Sequence, residues 1–447
     1  MLFVSLIIGV LLVVVATTKL KLHPFLSLML GTFFVGFTSG MPLAKIIESV
    51  NTGFGGLMGG IGLVIVFGTI IGTILEKSGA ALRMAEVVLR VVGPKRPQLA
   101  MSLIGYIVSI PVFCDSGFVI LSSLRKALAK RAKVAIASMS VALATGLYAT
   151  HTLVPPTPGP IAAAGNIGAS DFLGTIILLG LIVAVPATVV GYFWATRVAS
   201  KIEVEEDGEE LNYDEIVKSF GKMPSTFKSF LPIILPIVLI GIGSIVTFQK
   251  MEGGLAEFLV FLGSPLVALL AGVIAAMALL PKYNEETLTE WISKGLLESA
   301  PILLITGAGG AFGGVIKNTG IAEAIQSWSL GDMFSGALFL LIPFLIAAAL
   351  KTAQGSSTAA LVITSSLIAP MLAPMGIDGA VPLALVVMAI GAGAMTVSHV
   401  NDSFFWVVTQ FSGMKVTDAY KAQTMATLLQ GLVTIVFTMI LWMVLVS

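Results

Sequence analysis

The sequence predicts an all-α polytopic membrane protein made of two inverted repeats, each with transmembrane helices, one re-entrant hairpin and one unwound helix. Three observations predict it: a lipid-like composition, apolar runs of spanning length, and interruptions that recur in the same order in each half. Composition comes first. The 447 residues are 57% hydrophobic and 11% charged, with mean hydropathy +1.02. Soluble domains carry about 25% charged residues, so most of this chain belongs in lipid. A net charge of +1 gives no field that would gather nucleic acid. The lone Cys114 excludes an intrachain disulfide and a cysteine-based metal cluster. The apolar start up to Thr18 has no basic n-region and reads as a first span rather than a signal peptide.

Apolar stretches of ~20 residues mark spans. They lie near 2–18, 24–40, 56–75, 134–165, 172–195, 231–249, 259–280, 295–315, 380–412 and 422–446. Two further stretches, 98–124 and 335–373, are too long for one span. Each is broken in its middle, by Phe113-Cys114-Asp115-Ser116-Gly117 and by Lys351 to Thr358. Each reads as a hairpin whose non-helical tip survives at depth because protein or a wet cavity satisfies its backbone. Two of the spans are interrupted as well. Residues 150–160 hold Pro155, Pro156, Pro158 and Pro160, which no unbroken helix accommodates. Residues 398–404 contain Ser398, His399, Asn401, Asp402 and Ser403.

The positive-inside rule sets the orientation. With the first helix running inward, the 25 lysines and arginines face the cytoplasm except Lys45, Lys250 and Lys317, which face outward, and Lys351 in the second tip. Hairpin 98–124 has basic flanks and enters from the cytoplasm. Hairpin 335–373, flanked by Glu323, Asp332 and Asp378, enters from outside. Opposite insertion is what inverted repeats require. Residues 68–79, GTIIGTILEKSG, also align without a gap with 309–320, GGAFGGVIKNTG. Gly68, Gly72, Gly309 and Gly313 in these segments point to close helix packing. The resulting division is a first repeat at 1–195, a polar cytoplasmic linker at 196–230 with the acidic run Glu203 to Glu210, and a second repeat at 231–447.

The segments THTLVPPTPGP, GGAFGGVIKNTG, AQGSST and SHVND followed by FW resemble the gluconate permease family, within the larger ion transporter superfamily, from about residue 20 to 440. The resemblance implies a multi-pass bacterial inner-membrane symporter that carries gluconate, a related sugar acid or, in some members, D-serine, together with a proton. The superfamily further implies a homodimer with a scaffold and a moving transport domain, an elevator mechanism. Sodium coupling stays open, because unwound carbonyls and hydroxyls also bind sodium. A channel is a remote alternative, since inverted tips have no purpose in a symmetric pore. No HExxH or GxSxG motif supports an enzyme, and neither a cofactor nor a metal is expected.

Ionisable groups within membrane segments are functional candidates by default, because charge in lipid is costly. Asp115, with Ser116 and Gly117 beside it, is read as a proton acceptor or substrate contact; a tip carboxylate also caps its own backbone. Lys351 supplies charge to an anionic substrate, or else snorkels or pairs with Asp115 or Asp402. Gly355, Ser356, Ser357 and Thr358 offer hydroxyls and a helix N-terminus to an anion. Thr152 and Asn401 are further substrate contacts. His151 and His399 occupy matching places and titrate near neutrality, which suits a proton relay; the plainer reading is a histidine bonding freed carbonyls. Asp402 is the remaining proton candidate.

Overall fold

The computed structural model describes the chain except Met1, Pro94, residues 205–217, 219, 221–222 and 320–335, Asn401 and Ser447. The expectations placed on Glu323, Asp332, Asn401 and most of the acidic run lie outside the described residues. Every regular element among the described residues is helical. In chain order they are α1 (Leu2–Thr18), α2 (Pro24–Thr38), α3 (Leu43–Leu57), α4 (Leu63–Lys77), α5 (Ala80–Val92), α6 (Pro97–Val108), α7 (Cys114–Ile120), α8 (Ser122–Ala132), α9 (Ile136–Leu153), α10 (Pro158–Asn166) and α11 (Leu173–Arg197). Then come α12 (Thr226–Phe248), α13 (Gly254–Gly263), α14 (Pro265–Met277), α15 (Glu285–Lys317), α16 (Leu341–Gln354), α17 (Ser357–Leu372), α18 (Ala380–Met395), α19 (Ser403–Ser412), α20 (Val416–Ala419) and α21 (Met425–Leu445).

Among the described residues, seven helices are long and apolar enough to cross a membrane, or eight if the pair α13 and α14, bent by 65°, counts as one span. One of them corrects the expected spans. The loop expected between the spans 24–40 and 56–75 shrinks to 39–42, because α3 and α4 run together from Leu43 to Lys77 through a π-helical turn at Met58–Gly62. Lys45 and Glu48, polar enough to suggest a loop, pair with each other on one exposed face of α3.

The expected interruptions exist, but their ends are displaced from the polar residues that suggested them, and the proline break and the second tip are shorter than expected. In the first hairpin α6 ends at Val108 and α7 starts at Cys114, so the non-helical stretch is Ser109–Phe113. Asp115, Ser116 and Gly117 form the first turn of α7 rather than the tip. In the second hairpin only Gly355 and Ser356 break the helix. Gly355, at φ 87°, ends α16 in the left-handed region, and the Ser356 hydroxyl caps α17 by accepting from the Ala359 N–H at 3.2 Å. Lys351 lies in the last turn of α16. With their short 3-10 turns, the two arms each reach 19 residues, Gly336–Gln354 and Ser357–Met375, long enough to cross. By contrast, α6 has 12 residues, about 18 Å of rise, well short of the ~30 Å apolar thickness.

The proline break covers Val154–Thr157 rather than 150–160. His151 and Thr152 sit in the last turn of α9. Pro158 and Pro160 do not oppose helix; they occupy the first turn of α10, where the N–H groups they lack would have had no partner. The last break runs from Thr396 to Asp402, and α19 begins at Ser403.

Four of these elements are joined backbone to backbone. A Cβ on Gly105 of α6 would fall 2.5 Å from the Leu143 carbonyl oxygen, and one on Gly146 of α9 would strike the Ser102 carbonyl. On the other side, a Cβ on Gly393 of α18 would strike the Phe344 carbonyl of α16. Gly391 ties the two halves, resting against the Thr152 carbonyl at 2.6 Å by the same measure. Gly68 and Gly72 of α4 lie on the carbonyls of Pro156 and Pro111, so α4 seats on both the proline break and the first tip. The packing role expected of Gly309 is met against Ser366. Gly313 has open space around it.

Candidate functional site

Lys351 is the centre. Its side chain is fully buried, and its ammonium binds Asp402 Oδ2 at 2.6 Å and the Gly355 carbonyl at 2.5 Å. Of the readings open for Lys351, the ion pair with Asp402 is the one in place. The Tyr148 ring lies 5.7 Å from the same nitrogen, a cation–π contact. Asp402 is buried as well. It accepts from Ser398 Oγ at 2.5 Å on Oδ2 and from the Phe404 N–H at 3.1 Å on Oδ1, the second being the N-cap of α19. Ser398 is itself held, its N–H donating to Thr427 Oγ1 at 3.0 Å and its carbonyl accepting from Thr424 Oγ1 at 2.6 Å. A buried pair of charges is tolerable only when its remaining donors and acceptors are satisfied, and here they are.

Two other segments, α7 and α9, meet this pair, and His399 joins from the same break as Asp402. From α7, Asp115 is within electrostatic reach of Lys351 and Asp402, and its Oδ2 lies 3.5 Å from Ser403 Oγ while Oδ1 is buried without a partner. From α9, Tyr148 places its hydroxyl 3.4 Å from Ser357 Oγ and 3.5 Å from the Ala394 carbonyl, and stacks at 5.1 Å on Phe404. His151, one turn on, faces Phe113 at 5.9 Å and leaves Nδ1 buried without a partner. His399 Nε2 sits 2.7 Å from the Thr352 carbonyl, and a carbonyl accepts only, so Nε2 carries the hydrogen. That is the plainer of its two expected roles.

Other expected contacts have other surroundings. The Thr152 hydroxyl donates back to the Tyr148 carbonyl at 3.1 Å. Gly117 packs against Leu147, and Thr358 lies beside Gly159 of α10. Ser116 is half-buried and Ser356 exposed. Three participants were not anticipated: Tyr148, Ser398 and Arg125. Arg125, counted among the cytoplasm-facing cations, is fully buried. It donates to Ser140 Oγ at 2.5 Å and to the Phe411 carbonyl at the end of α19 at 2.6 Å, with its guanidinium over the Phe118 ring at 4.9 Å. Ser398 stands inside the SHVND segment and was legible there. Tyr148 gave no signal beyond an aromatic in a small-residue helix, which more often means core.

At this centre a helix C-terminus delivers a lysine, while α17 and α19 present their capped N-termini at the breaks. Such ends favour anions. Charge buried where helices are interrupted, among seven or eight apolar helices of spanning length in the described residues, is the arrangement of a multi-pass membrane permease.

The family model for the GntP family permease matches residues 1–444, and the chain belongs to that family. Relatives span nearly its full length. An uncharacterized permease of Haemophilus influenzae is 35% identical over 92% of this chain and 86% of its own. A gluconate permease of Pseudomonas aeruginosa is 31% identical over 97% and 95%, and the D-serine transporter DsdX of Escherichia coli K12 is 31% identical over 98% and 97%. A match to an inner membrane permease of Escherichia coli, with the apolar spans, places the chain as a multi-pass inner-membrane protein. In fold it is similar to the YdaH transporter of Alcanivorax borkumensis, whose structure is described as having an unusual topology. The TM-score is 0.63 at 16% identity, covering 89% of this chain and 88% of that one.

Proposed function

We propose that the protein is a proton-coupled carrier for gluconate or a closely related small sugar-acid anion, made of inverted repeats and working as a homodimer. The observation that carries the reading is Lys351, a buried ammonium at the meeting point of two helix breaks, paired with Asp402 beneath the Tyr148 ring, with the hydroxyls of Ser357, Ser398 and Ser403 against Tyr148, Asp402 and Asp115. The ammonium suits a carboxylate, and the hydroxyls and Asp115 suit a polyol chain. The gluconate permeases among the relatives support the substrate class. A proton supplies the charge that accompanies the anion, and Asp402 and Asp115 are the acids at hand. The arrangement of breaks, at 109–113 and 154–157 in one half and 355–356 and 396–402 in the other, supports the repeat.

The test uses purified protein in liposomes. Labelled gluconate should show saturable counterflow, which separates a carrier from a channel. Uptake should collapse with a protonophore at clamped sodium and persist when sodium is removed at clamped pH. The opposite pattern would replace the proton with sodium. Lys351→Ala should lose uptake altogether, and near-normal affinity in that variant would refute its role. D-serine is the second reading, favoured by the unpartnered buried oxygen of Asp115, which would receive an ammonium. Competition of excess D-serine against gluconate uptake distinguishes the two.

A further inference from the structure

We infer, resting on the carrier reading above, that Asp402 occupies the substrate's place on Lys351 and vacates it by taking a proton, so that one carboxylate exchanges for another and each anion brings one proton. The Lys351 ammonium has few free positions. It has three hydrogens. Asp402 Oδ2 and the Gly355 carbonyl take two, and the Tyr148 ring covers the same nitrogen. Lys351 is wholly buried, so water offers no further partner to exchange. An incoming carboxylate therefore reaches Lys351 by displacing Asp402 rather than by joining it.

The displaced carboxylate cannot remain bare. It is buried, and among the described residues Lys351 is the one cation paired with it. Lys351 faces it from α16, Tyr148 and His151 from α9, and Cys114 and Asp115 from α7; His399 precedes it on its own loop. With Lys351 committed to substrate, Asp402 has a second carboxyl within reach and no cation of its own. Two like charges in one dry site do not both persist. A proton on Oδ2 removes the conflict, and its acceptor is present. Ser398 Oγ now donates to Oδ2, but a hydroxyl rotates and accepts equally well. Oδ1 keeps its bond from the Phe404 N–H, so the cap of α19 survives the change. Ser398, clasped by Thr424 and Thr427, is thus a positioning residue for the proton.

The charge balance follows. The empty site holds Lys351⁺ and Asp402⁻. The loaded site holds Lys351⁺, the anion and neutral Asp402. Both have the same net charge, so a monoanion crosses with one proton and no net charge moves. Accumulation then responds to the pH gradient and ignores the membrane potential.

Calorimetry of gluconate binding in two buffers of different ionisation enthalpy counts protons on the intact wild-type protein. One proton per gluconate is expected, with the apparent Kd rising about tenfold per pH unit above neutrality. Asp402→Asn should bind gluconate with a pH-independent Kd and no proton uptake. In liposomes, wild-type accumulation should follow an imposed pH gradient and be unchanged by a potassium–valinomycin potential. Ser398→Ala should retain the proton count while weakening binding, and Ser398→Thr should restore affinity. Gluconate counterflow with no proton taken up on binding overturns the exchange while leaving the carrier reading intact, and needs no variant. Accumulation driven by potential alone, or an Asp402→Asn protein with wild-type pH dependence, overturns it too.

Discussion

The break after α9 is made of prolines and holds no charge, whereas the break after α18 holds Ser398, His399 and Asp402 and receives a lysine from another helix. Both leave the chain unwound among buried neighbours, and both must account for their backbone groups. The first does so by subtraction. Pro155 and Pro156 have no N–H to satisfy, and the Thr157 hydroxyl donates to the Val154 carbonyl at 2.6 Å. The second does so by supply, with Thr424 and Thr427 bonding Ser398 and the Asp402 N–H donating to the His399 carbonyl at 2.8 Å. Supply requires polar side chains at depth, and a pocket already lined with them can hold an ion pair. The difference teaches that two similar interruptions can divide the work, one shaping the chain and the other carrying charge.

The comparison can be broken most severely at the ion pair. Asp402→Ala leaves Lys351 as an uncompensated buried cation and should cost about 3–5 kcal/mol of stability, read as a lower melting temperature in detergent, with uptake lost. The pair replacement Lys351→Met with Asp402→Leu should recover most of that stability and none of the uptake; recovery of uptake would show that charge is not what this break contributes. An intermediate effect is expected at Gly146→Ala, whose Cβ would strike the Ser102 carbonyl. Overpacking of this kind costs about 1–3 kcal/mol, and it should lower stability while leaving substrate affinity near wild type. The smallest effect is expected in the proline break. Thr157→Val removes one hydrogen bond, about 1 kcal/mol, and uptake should remain near wild type. A loss there as large as at Asp402 would erase the distinction between the two breaks.

Much of this layout was legible because breaks in apolar runs have few chemical causes. The Pro155-Pro156 pair and the Gly355-Ser356 step both interrupt helix here, while Pro158 and Pro160 open the next one. The exact ends were misplaced for one shared reason. Polar side chains such as His151 and Lys351 look like breaks within an apolar run, yet a last helical turn accepts them without strain. Gly117 misled in the same way; it is a packing contact on Leu147, and the tip is set by the chain around Pro111. The composition of the centre was partly legible, since Asp115, Lys351, His151, His399 and Asp402 are conspicuous in lipid. Which carboxylate would claim Lys351 was not, because 51 residues separate Lys351 from Asp402 (402 minus 351) and nothing local specifies the partner. The burial of Arg125 was not legible, because a basic run after a hairpin resembles a solvated flank; Ser140, the Phe411 carbonyl and the Phe118 ring withdraw it from water.

The glycine crossings have a mechanical consequence. Where Gly105, Gly146, Gly391 and Gly393 bring main chain against main chain, no side chain remains to act as a bearing. The arms α6 and α16 cannot swing away from α9 and α18 without opening voids along the whole seam. The lysine and its acid are therefore held on one stiff piece, whose softest points are the seams around it and the short Gly355 joint within it.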